Sequence, residues 1–217
     1  MILFLLLMFS ICRSEPPTKT DLNEVLLYVA RHGTVEDVKK LIQMGADVNT
    51  KNEFGSTPFK IAVSSNNVKI AEFFLEHGQN PNRYSDDPLE NTPLMNTAAN
   101  HQTELFDLLL FEFHADPNYR TVHGATALMS AIQDPGMFRK LINEKADVRA
   151  RDNYGRSVLI YAALMGPEEV VLLLCEMGAD PNIKDNAGHT AIWYAQEKGR
   201  SNIVELLKNC SKNKALN

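Results

Sequence analysis

Two landmarks recur along this chain in the same order, at a period of roughly 33 residues, the size of a stacked structural repeat. The first is a Ser or Thr that opens an apolar run: Thr57, Thr92, Thr126, Ser157 and Thr190, at spacings of 35, 34, 31 and 33. The second is a turn motif: Gly45-Ala46-Asp47-Val48-Asn49, Gly78-Gln79-Asn80-Pro81-Asn82, Ala115-Asp116-Pro117-Asn118, Ala146-Asp147-Val148 and Gly178-Ala179-Asp180-Pro181-Asn182.

Each unit spells out a pair of helices. The Ser or Thr is a good N-cap, accepting a bond from an otherwise unpaired N–H. Pro58 and Pro93 follow at the first helical position, where a missing N–H costs nothing. Apolar residues then recur at helical spacing, as in Leu159, Ala162 and Ala163, then Val170, Leu173 and Leu174. Gly33, Gly166 and Gly199 separate the paired helices, and Gly45, Gly78 and Gly178 follow the second helix. A single pair cannot bury its apolar stripe, so neighbouring units must stack.

The last two units carry the pattern most fully: Asp152-Asn153-Tyr154-Gly155-Arg156-Ser157, Ala162-Ala163-Leu164-Met165-Gly166 and Val170-Val171-Leu172-Leu173-Leu174, then Asp185-Asn186-Ala187-Gly188-His189-Thr190. On these residues the chain resembles the ankyrin-repeat family over about Asp21 to Cys210. The resemblance implies an all-α repeat solenoid: about six helix–turn–helix units with β-hairpin loops, at 21–51, 52–84, 85–120, 121–150, 151–184 and 185–210. The end units act as caps, and a tail covers 211–217. The family's Thr-Pro-Leu-His would place His at Lys60, Met95, Met129, Ile160 and Trp193, and none is His. The usual polar network between repeats is therefore in doubt, and Met, Ile and Trp are expected to pack there. His114 and Lys145 stand where Gly belongs after the second helix. Repeat three has two extra residues within Ser85–Glu90 and another near Phe111, and repeat four is two short around Asp134-Pro135-Gly136. The middle of the stack is expected to be its least stable part.

Met1 to Ile11 is apolar and uncharged, then broken by Arg13, Glu15, Pro16 and Pro17. It is shorter than the roughly 17–25 residues that cross a bilayer and fits the apolar stretch of a secretory signal. With small residues at Cys12 and Ser14, a signal peptide over 1–14 and a linker over 15–20 are expected. The mature chain is then secreted or periplasmic, with no membrane insertion. The alternative is a lipoprotein tethered through an acylated Cys12.

Chemistry-bearing clusters are not evident. His32, His77, His101, His114, His123 and His189 fall in turns of different repeats. His77, His101 and His114 could approach one another, but ordinary turn residues are the expectation. Asp86 and Asp87 sit in the insertion, and with Glu90 match no calcium loop. Glu168 and Glu169 belong to a helix first turn, where acids suit the dipole. Cys175 lies on a second helix and Cys210 two residues off register, so free thiols are expected and a bridge is the alternative. No catalytic residue, cofactor or metal is expected. With 22 basic and 27 acidic residues, nucleic acid is excluded as the main partner.

The resemblance implies a protein partner, bound on a concave face of hairpin tips and first helices. Carried onto this sequence, the tips offer Phe54, Tyr84, Leu89, Tyr119, Val122, Arg151 and Tyr154, and a first-helix end offers Leu164 and Met165. Tyr84, Tyr119 and Tyr154 recur at intervals of 35, which predicts a row of interface anchors. The expected function is an exported, monomeric, non-catalytic interaction module. The alternatives are an inhibitor or immunity protein for a secreted or periplasmic enzyme or toxin, an enzyme, and a structural spacer.

Overall fold

The computed structural model describes residues 17–84 and 91–214, without the side chains of 211–214. Six helix pairs follow one another: α1 (Lys19–His32) with α2 (Val35–Gln43), α3 (Pro58–Ser64) with α4 (Val68–Glu76), and α5 (Pro93–Ala99) with α6 (Thr103–Asp107). Then come α7 (Ala127–Ser130) with α8 (Pro135–Asn143), α9 (Val158–Met165) with α10 (Glu168–Glu176), and α11 (Ala191–Glu197) with α12 (Ser201–Lys214). First helices pack on first helices and second on second, so the stack has two helical layers. Between them lies one continuous core containing the fully buried Phe59, Phe74, Phe106 and Phe138.

Local sequence sets the helix starts. Thr57, Thr92, Ser157 and Thr190 each accept a bond from the backbone N–H three residues on, and Pro58 and Pro93 open α3 and α5. Thr126 departs from the expectation: it stands at the N-cap but makes no capping bond, and its Oγ1 is buried without a partner. The helix it opens is a single turn, because repeat four lacks two residues. Thr18 and Asp21 form a reciprocal capping box, so α1 begins at Lys19, inside the expected linker. At the other end α12 runs through the expected tail to Lys214. The loops are tight turns rather than β-hairpins; among the described residues the β-pairing is one isolated bridge, Arg151 with Ser157.

The extra residue near Phe111 is absorbed as a π-helical turn, Leu108–Glu112, continuing α6. Phe113 N–H donates to Leu108 O and Ala115 N–H to Leu109 O, so the helix widens and the apolar side chains beyond it stay on the core. Charged side chains stitch the second-helix layer: Lys140 to Asp107 at 2.6 Å, and Arg139 to Glu169 at 2.9 Å. Arg200, in the last repeat, donates to Ala162 O, Ala163 O and Gly166 O, placing a cation on the C-terminal carbonyls of α9.

Cys175 on α10 and Cys210 on α12 are joined in a disulfide, with Cα atoms 5.6 Å apart. This corrects the expectation of free thiols. The two-residue offset was counted against the repeat period. However, α12 continues past the level where α10 ends, and its next turn lies alongside Cys175.

The segments 1–14 and Ser85–Glu90, with Cys12, Asp86, Asp87 and Leu89, lie outside the described residues.

Candidate functional site

The loop tips of repeats four, five and six dock edge to edge. Asn153 N–H donates to His123 O at 2.9 Å, and its Nδ2 donates to Val122 O at 2.6 Å. One repeat further, Asn186 N–H donates to Tyr154 O and its Nδ2 to Asn153 O, both at 2.9 Å. Gly155 makes this approach possible. Its φ is +77°, and a Cβ there would lie 2.5 Å from Asn186 Oδ1 and 2.9 Å from Arg151 Nη2. Arginines brace the same edge: Arg120 donates to Arg151 O, and Arg151 donates to Gly155 O at 2.9 Å and Lys184 O at 2.8 Å.

Beneath the tips sit two buried carboxylates. Asp152 Oδ1 accepts the backbone N–H of Tyr154 and Arg156, and its Oδ2 accepts from Arg156 Nε and the Tyr161 hydroxyl, both at 2.8 Å. Asp185 repeats the scheme, accepting N–H of Ala187 and His189 on Oδ1 and the Tyr194 hydroxyl at 2.6 Å on Oδ2. A polar network therefore joins tip and first helix within each of these two repeats, while the polar bonds at these tips from one repeat to the next are those of Asn153, Asn186 and the arginines. Tyrosines one position after the family's His site supply the bond from tip to helix. Burial and the bond to Asp152 push the Tyr161 hydroxyl up to about 12. The bond to Asp185 raises Tyr194 as well. Burial alone would raise Asp185, but the Tyr194 hydroxyl and two backbone N–H groups outweigh it and hold the carboxyl below its usual range.

This network displays aromatic groups. Tyr154 is 63% exposed, with the Arg156 guanidinium 4.9 Å from its ring centre and 4.8 Å from that of Tyr161. Trp193 is 37% exposed, stacked on His189 at 3.6 Å and 7°, with Tyr194 edge-on at 5.0 Å. The sequence reading had Trp193 as packing and did not include Arg156, Tyr161, His189 or Tyr194. The local signal was available: a Tyr four residues after the N-cap in the two units that keep Asp five residues before it.

The other expected site residues do not form one row. Phe54 is 78% exposed, on the tip of repeat two; Val122 and Met165 are exposed; Leu164 and Tyr119 are half-buried. Tyr84 is 4% exposed, which corrects its assignment as an anchor. Its ring packs 5.6 Å from Phe59, and its hydroxyl accepts from Asn96 Nδ2 at 3.0 Å. Arg151 is exposed, but its guanidinium serves as a brace. Of the histidines in repeats two and three, His77 bonds Phe73 O and His101 faces Asp134 at 3.3 Å. Among the described residues no group of three or more His, Cys, Asp or Glu could hold a metal, and no helix is long and apolar enough to cross a membrane.

Comparison with known proteins gives a consistent picture. Residues 4–85, 26–121, 94–185 and 136–217 match the family model described as ankyrin repeats (3 copies). A putative ankyrin repeat protein of fowlpox virus, FPV014, is 35% identical over 159 residues, covering 69% of this chain and 34% of that protein. The ANK repeat-containing protein nipk-1 of Caenorhabditis elegans is 26% identical, covering 62% of this chain and 19% of that protein. The chain thus spans about a third of the length of the first of these relatives and about a fifth of the second. Two solved structures share the fold at 24% identity, each covering 85% of this chain and 96% of its own. One is an ankyrin repeat domain from Acinetobacter baumannii AYE, with a TM-score of 0.70. The other comes from the complex of the Bd0816 predatory endopeptidase of Bdellovibrio bacteriovorus with immunity protein Bd3460, with a TM-score of 0.73.

Proposed function

We propose, because the chain belongs to the ankyrin-repeat family, that it is an exported interaction module gripping one partner protein with the tip face of repeats five and six. Ankyrin repeats are protein-interaction modules and are generally non-catalytic. The observation that carries the choice of face is the exposed pair Tyr154 and Trp193, each held by a ring or guanidinium contact above a satisfied buried carboxylate. Tyr, Trp and Arg dominate interface anchors, and anchors already fixed in place lose little entropy on binding.

Export is supported by the Cys175–Cys210 bridge, which suits an oxidising compartment, together with the apolar run before Arg13. A narrower form of the same reading makes the partner an exported hydrolase or toxin that this chain blocks. An endopeptidase–immunity protein complex supplies one of the shared folds, and at 24% identity that likeness is one of fold.

Affinity capture from the native compartment tests both halves. The wild-type chain should retain one protein that Tyr154→Ala/Trp193→Ala loses, and intact mass should place the mature N-terminus near Glu15. Equal retention by both chains would move the site elsewhere; a cytosolic chain beginning at Met1 would end the export half.

A further inference from the structure

We infer that the outer edge of the repeat-six tip takes a turn of a partner protein that presents an Asn or Gln side chain, a contact beyond the aromatic face proposed above. The joints inside the chain show what fits such an edge. Where repeat five meets repeat four, Asn153 donates its N–H to His123 O and its Nδ2 to Val122 O, and Arg120 donates the other way, to Arg151 O. Where repeat six meets repeat five the scheme recurs residue for residue. Asn186 donates its N–H to Tyr154 O and its Nδ2 to Asn153 O, and Arg151 donates to Lys184 O. The glycine of the receiving tip leaves room for the Asn. A Cβ on Gly124 would lie 2.9 Å from Asn153 Oδ1, and one on Gly155 would lie 2.5 Å from Asn186 Oδ1.

Repeat six carries the receiving half of the same joint. Counted back from the N-cap, Lys184 stands where Arg120 and Arg151 stand, and Gly188 stands where Gly124 and Gly155 do. The carbonyls of Asn186 and Ala187 correspond to the pairs that receive Asn153 and Asn186. All four residues are exposed. Among the described residues nothing bonds these two carbonyls or the Lys184 ammonium, and a Cβ on Gly188 would meet nothing within 4 Å. Two acceptors, one donor and a glycine are thus set out as at both internal joints, and a backbone edge of this kind is a template for pairing. The occupant is a turn and not a further repeat. The cleft between α11 and α12 is lined by Gln196, Glu205 and Lys208, and a packed helix pair would bury such groups at a cost. A second copy of this chain does not supply the turn. Its Asn153 and Asn186 are already engaged, and the same position in repeats two to four holds Glu53, Pro88 and Val122, none of which offers a side-chain N–H.

Selection of disulfide-closed random heptapeptide loops, displayed on phage, against the full chain tests this. The enriched loops should share an Asn or Gln. Changing it to Asp or Glu keeps the shape and removes both N–H donors, and should cost synthetic copies about tenfold or more in affinity. Gly188→Asn fills the space the partner's amide would take, with a residue that tolerates positive φ, and should weaken binding by at least as much. Lys184→Met should weaken it several-fold without touching the backbone, and melting curves check that each variant is folded. No enrichment, enriched loops that share no Asn or Gln, or loops held equally well by Gly188→Asn and Lys184→Met overturn the inference. Loops lost only by Tyr154→Ala/Trp193→Ala overturn it and favour the aromatic face; loops indifferent to that pair but lost by the edge variants support it whatever becomes of the face. Self-association of the chain that Gly188→Asn abolishes overturns it in favour of a second copy.

Discussion

Lys145 and His114 end their second helices with φ of 63° and 52°, in the left-handed region where an L side chain is strained. Asn66 and His101 adopt the same conformation after first helices. Lys145→Gly and His114→Gly should each stabilise by about 0.5–1 kcal/mol, since the strain relieved exceeds the added unfolded-state entropy; denaturant midpoints will show it. The tip tyrosines separate by the same reasoning. Tyr84→Ala removes a buried ring and should cost about 3–5 kcal/mol, whereas Tyr154→Ala should change melting by less than about 0.5 kcal/mol. Tyr161 ties stability to alkaline pH. Its hydroxyl titrates near 12 in the folded chain against 10.0 ordinarily, so the folded state holds that proton more tightly. Its contribution is full below pH 10 and is lost as pH rises toward 12. Tyr161→Phe should flatten that limb of a stability–pH curve and lower neutral-pH stability by about 1–2 kcal/mol.

At the level of elements, the extra residue near Phe111 and the loss in repeat four are absorbed locally. A π turn takes up one extra residue in α6, and a shortened α7 takes up the loss in repeat four. The C-terminal cap is secured differently. Helix α12 has one neighbour in the second-helix layer, α10, and the disulfide fixes it there across a sequence separation of 35. Closing a loop of that size is worth about 2–4 kcal/mol. Cys210→Ser should lower stability by that amount, with hydrogen exchange rising most in α12 and least in α1.

Across the whole molecule, cooperativity depends on contacts between adjacent units. The ends are tightened by capping boxes before α1 and α2 and by the disulfide on α12. The middle has a one-turn α7 and an uncapped α6, with Thr126 Oγ1 and Gln102 Oε1 buried without partners. Hydrogen exchange should therefore open the segment from α5 to α7 before either end; earlier opening of α9 to α11 would show that the tip network adds less than its bonds suggest.

What the sequence determined by itself is the periodic frame: six helix pairs, their Ser/Thr starts, their turns, and the two places where Lys145 and His114 substitute for Gly. These features are legible because caps, turns and apolar stripes are set by residues within a few positions of one another. Burial across repeats was decided only by tertiary structure. Tyr84 and Tyr154 both lie in loop tips, at different positions of the repeat, and one ring turns inward onto Phe59 while the other turns outward beside Arg156. Cys210 meets Cys175 because α12 outruns α10. Tyr161 and Tyr194 tie tip to first helix inside their own repeats because their hydroxyls reach Asp152 and Asp185. In each case the outcome depends on which side chain a neighbouring unit places opposite and how far its helix runs, and a repeat pattern averages over both.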